Sequence, residues 1–431
     1  MRFVLPLLLM ALPAAAMEFP RAVTDADYRV TDPAQVAMGR LLFWDPILSG
    51  NRTVSCGTCH HPRFGTGDGL SLGLGDGGRG LGPDRVADPE NPPEQRIPRN
   101  APALFNLGAR EFTVLFHDGR IETRPDGSLR TPMGPEMLEG FDTLLSAQTM
   151  FPVLSGDEMA GHYSENEVSQ AVRQGLITGG GGAWDLLAGR VRAIPEYEAM
   201  WRDAFLGDDR LDFTDISDAV AAFVEHEWRS DTSPFDFWLR GEGDLSPLAL
   251  QGVELFYGSA GCAECHAGPF QTDHGFHVTG TPQLGPGKRE RFEPHSRDEG
   301  RYRVTGAEAD RFAFRTPSLR NVTETGPWGH AGGHADLRQF LRDHAAPRAA
   351  LLRYGREATL PGVEGFEDWR VMDDPSEVSA IAAAIRGPDR VLAEGELDAL
   401  LAFLRALHDP AAIVGRLGIP DEVPSGLPVE R

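Results

Sequence analysis

Apolar residues recur at three- and four-residue spacing in several stretches of the chain. Each such stretch predicts a helix with one face turned to a core. They run from Val36 to Trp44, Trp184 to Ile194, Tyr197 to Phe205, Ile216 to Trp228, Leu248 to Tyr257, Asp336 to His344 and Glu396 to Leu407. Ser164-Glu165-Asn166-Glu167 fits a capping box that opens a further helix through Leu176. Sustained apolar–polar alternation is scarce, so strands should be few. The stretch from Ser230 to Pro247, rich in Asp, Ser, Gly and Pro, marks a boundary. The pattern predicts a mainly α protein with long irregular loops and two similar lobes, residues 17–235 and 236–431.

Composition adds to this picture. The 50 glycines and 33 prolines in 431 residues account for the irregular chain. The stretch from Gly65 to Pro83 is dense in glycine but has no following G-K-[ST] and no preceding strand. It reads as a surface loop or flap near the first cysteine pair, not as a phosphate cradle. With 41 Lys+Arg against 64 Asp+Glu the net charge is -23. Such a chain lacks the basic face that a nucleic acid or an anionic membrane surface requires. It would instead steer a basic or neutral partner. Residues 1–16, MRFVLPLLLMALPAAA, read as a signal peptide cleaved near Ala16, with export to the periplasm. No later apolar run reaches the ~20 residues of a membrane span.

All four cysteines fall in two copies of one motif, Cys56-Gly-Thr-Cys59-His60 and Cys262-Ala-Glu-Cys265-His266. C-x-x-C-H is the attachment signature of a c-type haem: the thiols bond the porphyrin edge and the histidine ligates iron. Two copies that use every cysteine, without the spacing of a Cys₂His₂ zinc site, predict two covalent haems. His60 and His266 are then the proximal ligands, and the adjacent His61 reads as a surface histidine. No His lies between His61 and His117, and no Met between Met38 and Met133, so the first haem lacks an obvious nearby sixth ligand. For the second, Leu337, Phe340, Leu341 and His344 share one helical face, which makes His344 either a core histidine or a ligand.

The chain resembles the bacterial di-haem cytochrome c peroxidase/MauG family from Ala37 to Leu407. The motifs that carry the resemblance occur in family order. They are LLFWDPILS with CGTCHHP, RNAPALFN (Arg99–Asn106), FHDGR (Phe116–Arg120) and AQTMFPVLSGDEM (Ala147–Met159). SPFDFWLRGEGDLSPLALQGVELF running into CAECHAGP follows, and then RTPSLRNVTETGPWGHAGG (Arg315–Gly333). The resemblance implies two cytochrome c-like haem domains, with the N-terminal haem as the peroxide site. It puts Gln148 and Glu158 on the distal side there, Glu158 as the acid/base for O–O heterolysis and Gln148 as an orienting amide. From the residues alone, Glu158 also reads as a helix-start carboxylate in the S-x-x-E pattern begun by Ser155.

Three departures and one addition follow from the same resemblance. The histidine that caps the first haem in many family members is absent after the first C-x-x-C-H, which implies a haem open without prior reduction. The second haem's distal Met or Tyr corresponds to His344, which implies bis-His ligation, with Met372, Tyr302 and Tyr354 as competitors. The tryptophan between the haems is replaced by His117, a candidate to bond a haem propionate, and Trp328 or another aromatic is a substitute relay. The family also implies calcium between the lobes, held by the Asn100 side chain and the carbonyls of Thr325 and Pro327. The implied function is a periplasmic peroxidase that takes electrons from a small cytochrome c or cupredoxin. The alternatives are a MauG-like oxidase that modifies a partner protein, and a non-catalytic di-haem electron carrier. The chain would act as a monomer or homodimer.

Overall fold

The computed structural model describes residues 19–206, 209–290 and 292–431. The proposed leader, residues 1–16, lies outside the described residues.

Asp32 opens the first long helix, Pro33–Trp44, by accepting from the N–H groups of Ala34 and Gln35. Proline at the first helical position is pre-set for that role. Asp212 caps Phe213–Glu227 in the same way, accepting from Thr214 and Asp215. These two helices cross at Gly39, where a Cβ would stand 1.8 Å from the carbonyl oxygen of Ala219. One turn on, Phe43 and Phe223 pack with ring centres 5.4 Å apart. The second lobe repeats this joint. Ser246 caps Pro247–Phe256 through Ala249 N. At Gly252 a Cβ would stand 2.0 Å from Ala399 O of the helix Glu394–Ala406. Phe256 and Phe403 follow, 4.8 Å apart. Each fully buried Phe contributes roughly 2–3 kcal/mol.

The helices Ala183–Arg192 and Pro195–Ala204 bury Trp184, Leu187, Tyr197 and Trp201 against the first pair. The helical segments predicted from spacing are all present, with ends moved by at most three residues. The capping box differs. Asn166, not Ser164, is the cap: its side chain accepts from Val168 N and Ser169 N, and the helix is Glu167–Arg173. Ser164 has a left-handed φ of 63°, outside any helix start.

Among the described residues, strands are confined to three small antiparallel sheets, the largest built from Val114–Leu115, Ile121–Thr123 and Leu129–Arg130. The chain after Asp409 returns to the N-terminal lobe, where Ala412 and Val423 join the core. Glu227 receives Leu417 N and Gly418 N, and Thr58, between the first two cysteines, donates to Glu430. Among the described residues no helix is long and apolar enough to cross a membrane.

The glycine-rich stretch is not the surface flap its composition predicts. Leu70, Leu72 and Leu74 are fully buried, and Ser71, Gly73 and Gly75 are buried with them. Leu72 packs with Leu284 and Ala331 of the other lobe. Ser71 donates to Gly332 O (2.6 Å) and Thr359 N donates to Ser71 Oγ (2.8 Å). Glycine here permits close passage between two packed bodies. The seam is also held by Arg99, which donates to both carboxylate oxygens of Asp298 and pairs with Asp118 at 2.6 Å, all three buried.

Candidate haem sites

The segment Cys56–Cys59 forms a single helical turn with His60 at its end. The ring of His60 is held by its Nδ1, which bonds the carbonyl of Thr66 at 2.9 Å. In the second lobe His266 Nδ1 bonds Gln271 O at 3.1 Å. The two motifs thus anchor the same ring atom on a carbonyl five or six residues downstream, leaving Nε2 for a metal. All four cysteines are free, and burial pushes the thiols of Cys56 and Cys262 up to about 12 and 11. Uncharged thiols that form no disulfide, next to an anchored imidazole, fit a c-type haem at each site.

Across from His266 stands His344, on the helix Leu337–Ala345. The two rings have centres 6.3 Å apart and planes at 57°. Two imidazole–metal bonds of about 2.0 Å each, plus the distance from nitrogen to ring centre, account for that separation. Burial and the neighbouring His266 and His334 hold the His344 imidazole down at about 4, so it is neutral and able to ligate. The competing ligands are engaged elsewhere. Tyr354 donates to Gly333 O, Tyr302 lies under the Arg311 guanidinium at 3.9 Å, and Met372 packs in a separate apolar cluster.

The first lobe holds the two residues expected on the distal side there, and Glu158 acts on the nearby Cys59 thiol. Gln148 ends the helix Leu144–Thr149, which Thr143 caps, and its Oε1 is buried without a partner. Glu158 lies on a five-residue π-turn, Gly156–Ala160. The Ser155 side chain makes no capping bond to the backbone of that turn, but it does hydrogen-bond to the Glu158 carboxyl. The carboxyl is raised above its ordinary value, chiefly by burial, against the opposing pull of Lys288 and Arg120. The glycine-rich segment fixes its backbone: Asp76 N donates to Glu158 O at 2.9 Å. At Gly75, with φ at 51°, a Cβ would stand 1.9 Å from Asp157 O. Lys288 is the chain's single lysine and reaches this site from the C-terminal lobe; only its rarity in the composition could have flagged it.

His117 lies in the seam between the lobes, half-buried, and its carbonyl accepts from Arg315 N at 2.8 Å. Burial, with Arg99, His330 and Arg315 nearby, lowers it to about 3. Arg315 donates only to carbonyls, of Phe116 and Thr316, and burial brings it down to about 10. Trp328 donates its indole N–H to Val322 O at 2.9 Å. Asn100 uses its amide nitrogen on Leu70 O (2.7 Å) and its backbone N–H on His330 O (2.9 Å). Thr325 and Pro327 flank Gly326 in the turn that leads to His330. His61 is not a surface residue: it is 3% exposed, edge-on to Trp44 at 5.5 Å, and lowered by burial to about 4. Its Nδ1 accepts from Arg63 N, which turns the ring into the core.

Residues 33–244 match the family described as di-haem cytochrome c peroxidase. The methylamine utilization protein MauG of Methylorubrum extorquens is 31% identical over 329 residues, covering 75% of this chain and 72% of that one. A cytochrome c551 peroxidase of Nitrosomonas europaea is 29% identical over 305 residues, 70% of each chain. Among solved structures, the diheme peroxidase BthA of Burkholderia thailandensis superposes with a TM-score of 0.60 over 98% of both chains, at 20% identity. A MauG-like protein associated with microbial copper homeostasis gives 0.57 over 94% of this chain and 97% of that one, at 23% identity. The mainly helical two-lobed fold agrees with these. The chain belongs to the di-haem cytochrome c peroxidase family, whose members are enzymes with two c-type haems.

Proposed function

We propose that the protein reduces hydrogen peroxide at the N-terminal haem, with electrons arriving through the C-terminal haem. The observation that carries this is the asymmetry of the two distal sides: an imidazole faces His266 at 6.3 Å, whereas the first lobe offers Gln148 and Glu158. Cys56, Cys59 and His60 would hold the first haem; Cys262, Cys265, His266 and His344 would hold the second. His117, and Arg315 with its carbonyl partners, would offer a haem propionate a donor and a cation. A haem at the first site would supply the redox chemistry of peroxide reduction, and one at the second would pass on the two electrons that the external donor provides.

The chain's own residues manage the protons. Glu158, as carboxylate, takes the proton from the peroxide oxygen nearer the metal and returns it to the far oxygen as that leaves as water. Its raised proton affinity lets it do both near neutrality. Gln148 Oε1, left unpaired by the fold, accepts from peroxide and fixes its orientation. Overall, hydrogen peroxide takes two electrons and two protons and leaves as two waters.

The electron donor is a small cytochrome c or cupredoxin, and the acidic surface favours a basic one. The protein works in the periplasm after loss of residues 1–16. A calcium ion between the lobes takes Asn100 Oδ1 and the carbonyls of Thr325 and Pro327, oxygen donors that suit a hard cation. A MauG-like reading, in which the electrons come from residues of a partner protein, is favoured by the packing after His60. Between His61, whose ring is turned into the core, and His117 the chain carries no histidine, and the glycine-rich part of that stretch is clamped between the lobes, so no imidazole from it would close the first site. Rapid mixing of holoprotein with peroxide separates catalysis from carriage: Glu158→Gln slows the reaction by about 10²–10⁴-fold at unchanged haem content. Equal rates for the two proteins would contradict the proposal.

A further inference from the structure

If His344 ligates the second iron, as the proposed function holds, the residues behind its ring set how firmly it is held. Of the three imidazoles assigned to iron, His60 and His266 each have Nδ1 on a backbone carbonyl, at 2.9 and 3.1 Å. The Nδ1 of His344 is buried and has no partner. A ligating imidazole nearly always donates its second N–H, because that bond fixes the ring and strengthens it as a donor. Among the described residues no group lies in direct reach.

It supplies a cavity instead. A space of about 10 Å³ adjoins His344 and is lined by Thr281, His334, Asp343 and Tyr354 among others. That is about the size of one water molecule. Thr281 Oγ is already bonded to His330 Nδ1 at 2.8 Å, and the Tyr354 hydroxyl donates to Gly333 O. The Nδ1 of His334, however, is a second buried atom without a partner. Its Nε2 bonds Asp343 Oδ2 at 3.1 Å, and the other oxygen of Asp343 accepts from Gln339 Nε2 at 2.9 Å. The tautomers are complementary. Donating Nε2–H to a carboxylate leaves His334 Nδ1 as an acceptor. Giving Nε2 to iron leaves His344 Nδ1–H as a donor.

We propose that one ordered water bridges His344 Nδ1 to His334 Nδ1, making His334 and Asp343 the positioning pair for the second haem's distal ligand. The water accepts from His344 and donates to His334, which satisfies both buried atoms at once. Phe340 stacks on the face of His344 at 5.4 Å, so packing fixes the plane of the ring and the water fixes its edge. The chain Asp343–His334–water–His344 pushes electron density toward the iron and favours its ferric state.

The test uses holoprotein with both haems. A high-resolution crystal structure should show a single water within hydrogen-bonding distance of both Nδ1 atoms. His334→Leu, which removes the acceptor, should raise the ferrous-to-ferric ratio of the second haem at fixed potential about tenfold. His334→Gln, which keeps an acceptor, should largely restore it. An empty cavity, or a His334→Leu protein with the wild-type potential and electron paramagnetic resonance (EPR) spectrum, overturns the proposal. If the oxidised wild type lacks a low-spin bis-imidazole signal, the ligand assignment itself fails, and the bridge falls with it.

Discussion

In the N-terminal lobe Gly39 meets the backbone of Ala219, and in the C-terminal lobe Gly252 meets that of Ala399. Each contact is followed one turn on by a pair of phenylalanines, and each lobe then ties its C-x-x-C-H imidazole to a carbonyl. The scaffold is therefore the same one used twice. What differs is brought by segments outside it. The helix Leu337–Ala345 puts an imidazole opposite His266. The π-turn Gly156–Ala160 and the end of the helix Leu144–Thr149 bring a carboxyl and an amide to the first lobe. On the proposed reading, one frame serves two tasks, according to whether a strong ligand or a proton-handling pair is brought to the haem site.

The comparison can be broken most severely at its distal residues. Glu158→Gln removes the proton carrier from one lobe alone, and the loss of about 10²–10⁴ in peroxide reactivity should leave the second haem's spectrum untouched. His344→Leu erases the difference from the other side. EPR on the oxidised variant should show the second haem's low-spin signal replaced by a high-spin one, so that both haems are open.

The shared frame can be tested by equal damage to both halves. Gly39→Ala and Gly252→Ala each force a methyl against a carbonyl oxygen at about the same separation. Each should destabilise its lobe by about 1–3 kcal/mol in chemical denaturation, and by similar amounts. A large loss in one and none in the other would show that the joints are not equivalent.

The smallest effect sharpens the electrostatics. Burial raises the Glu158 proton affinity, so peroxide reactivity should fall as pH drops through a value above that of an ordinary glutamate. The Lys288 ammonium favours the carboxylate. Lys288→Met should therefore move that acid limb upward, as read from the pH–rate profile.

Much of this was legible in the sequence. Helical spacing located the Gly39 and Gly252 helices and their partners, because a face packed against a core must repeat every three to four residues. The C-x-x-C-H spacing located both haem attachments, because the chemistry is local. The sequence does not single out the Asn166 cap, since Ser164 and Asn166 are both good caps and only the backbone decides. The glycine-rich segment and His61 look like surface in the sequence, because polarity and glycine content do not reveal burial in the fold. Lys288 and the returning C-terminal tail are long-range placements, and no local pattern encodes them.

The most direct test of the central claim is low-temperature EPR on the fully oxidised holoprotein, before and after one equivalent of hydrogen peroxide. The account predicts one high-spin ferric signal from the open first haem and one low-spin signal from the His266–His344 pair, with peroxide abolishing the high-spin signal. Two low-spin signals that peroxide leaves unchanged would contradict it.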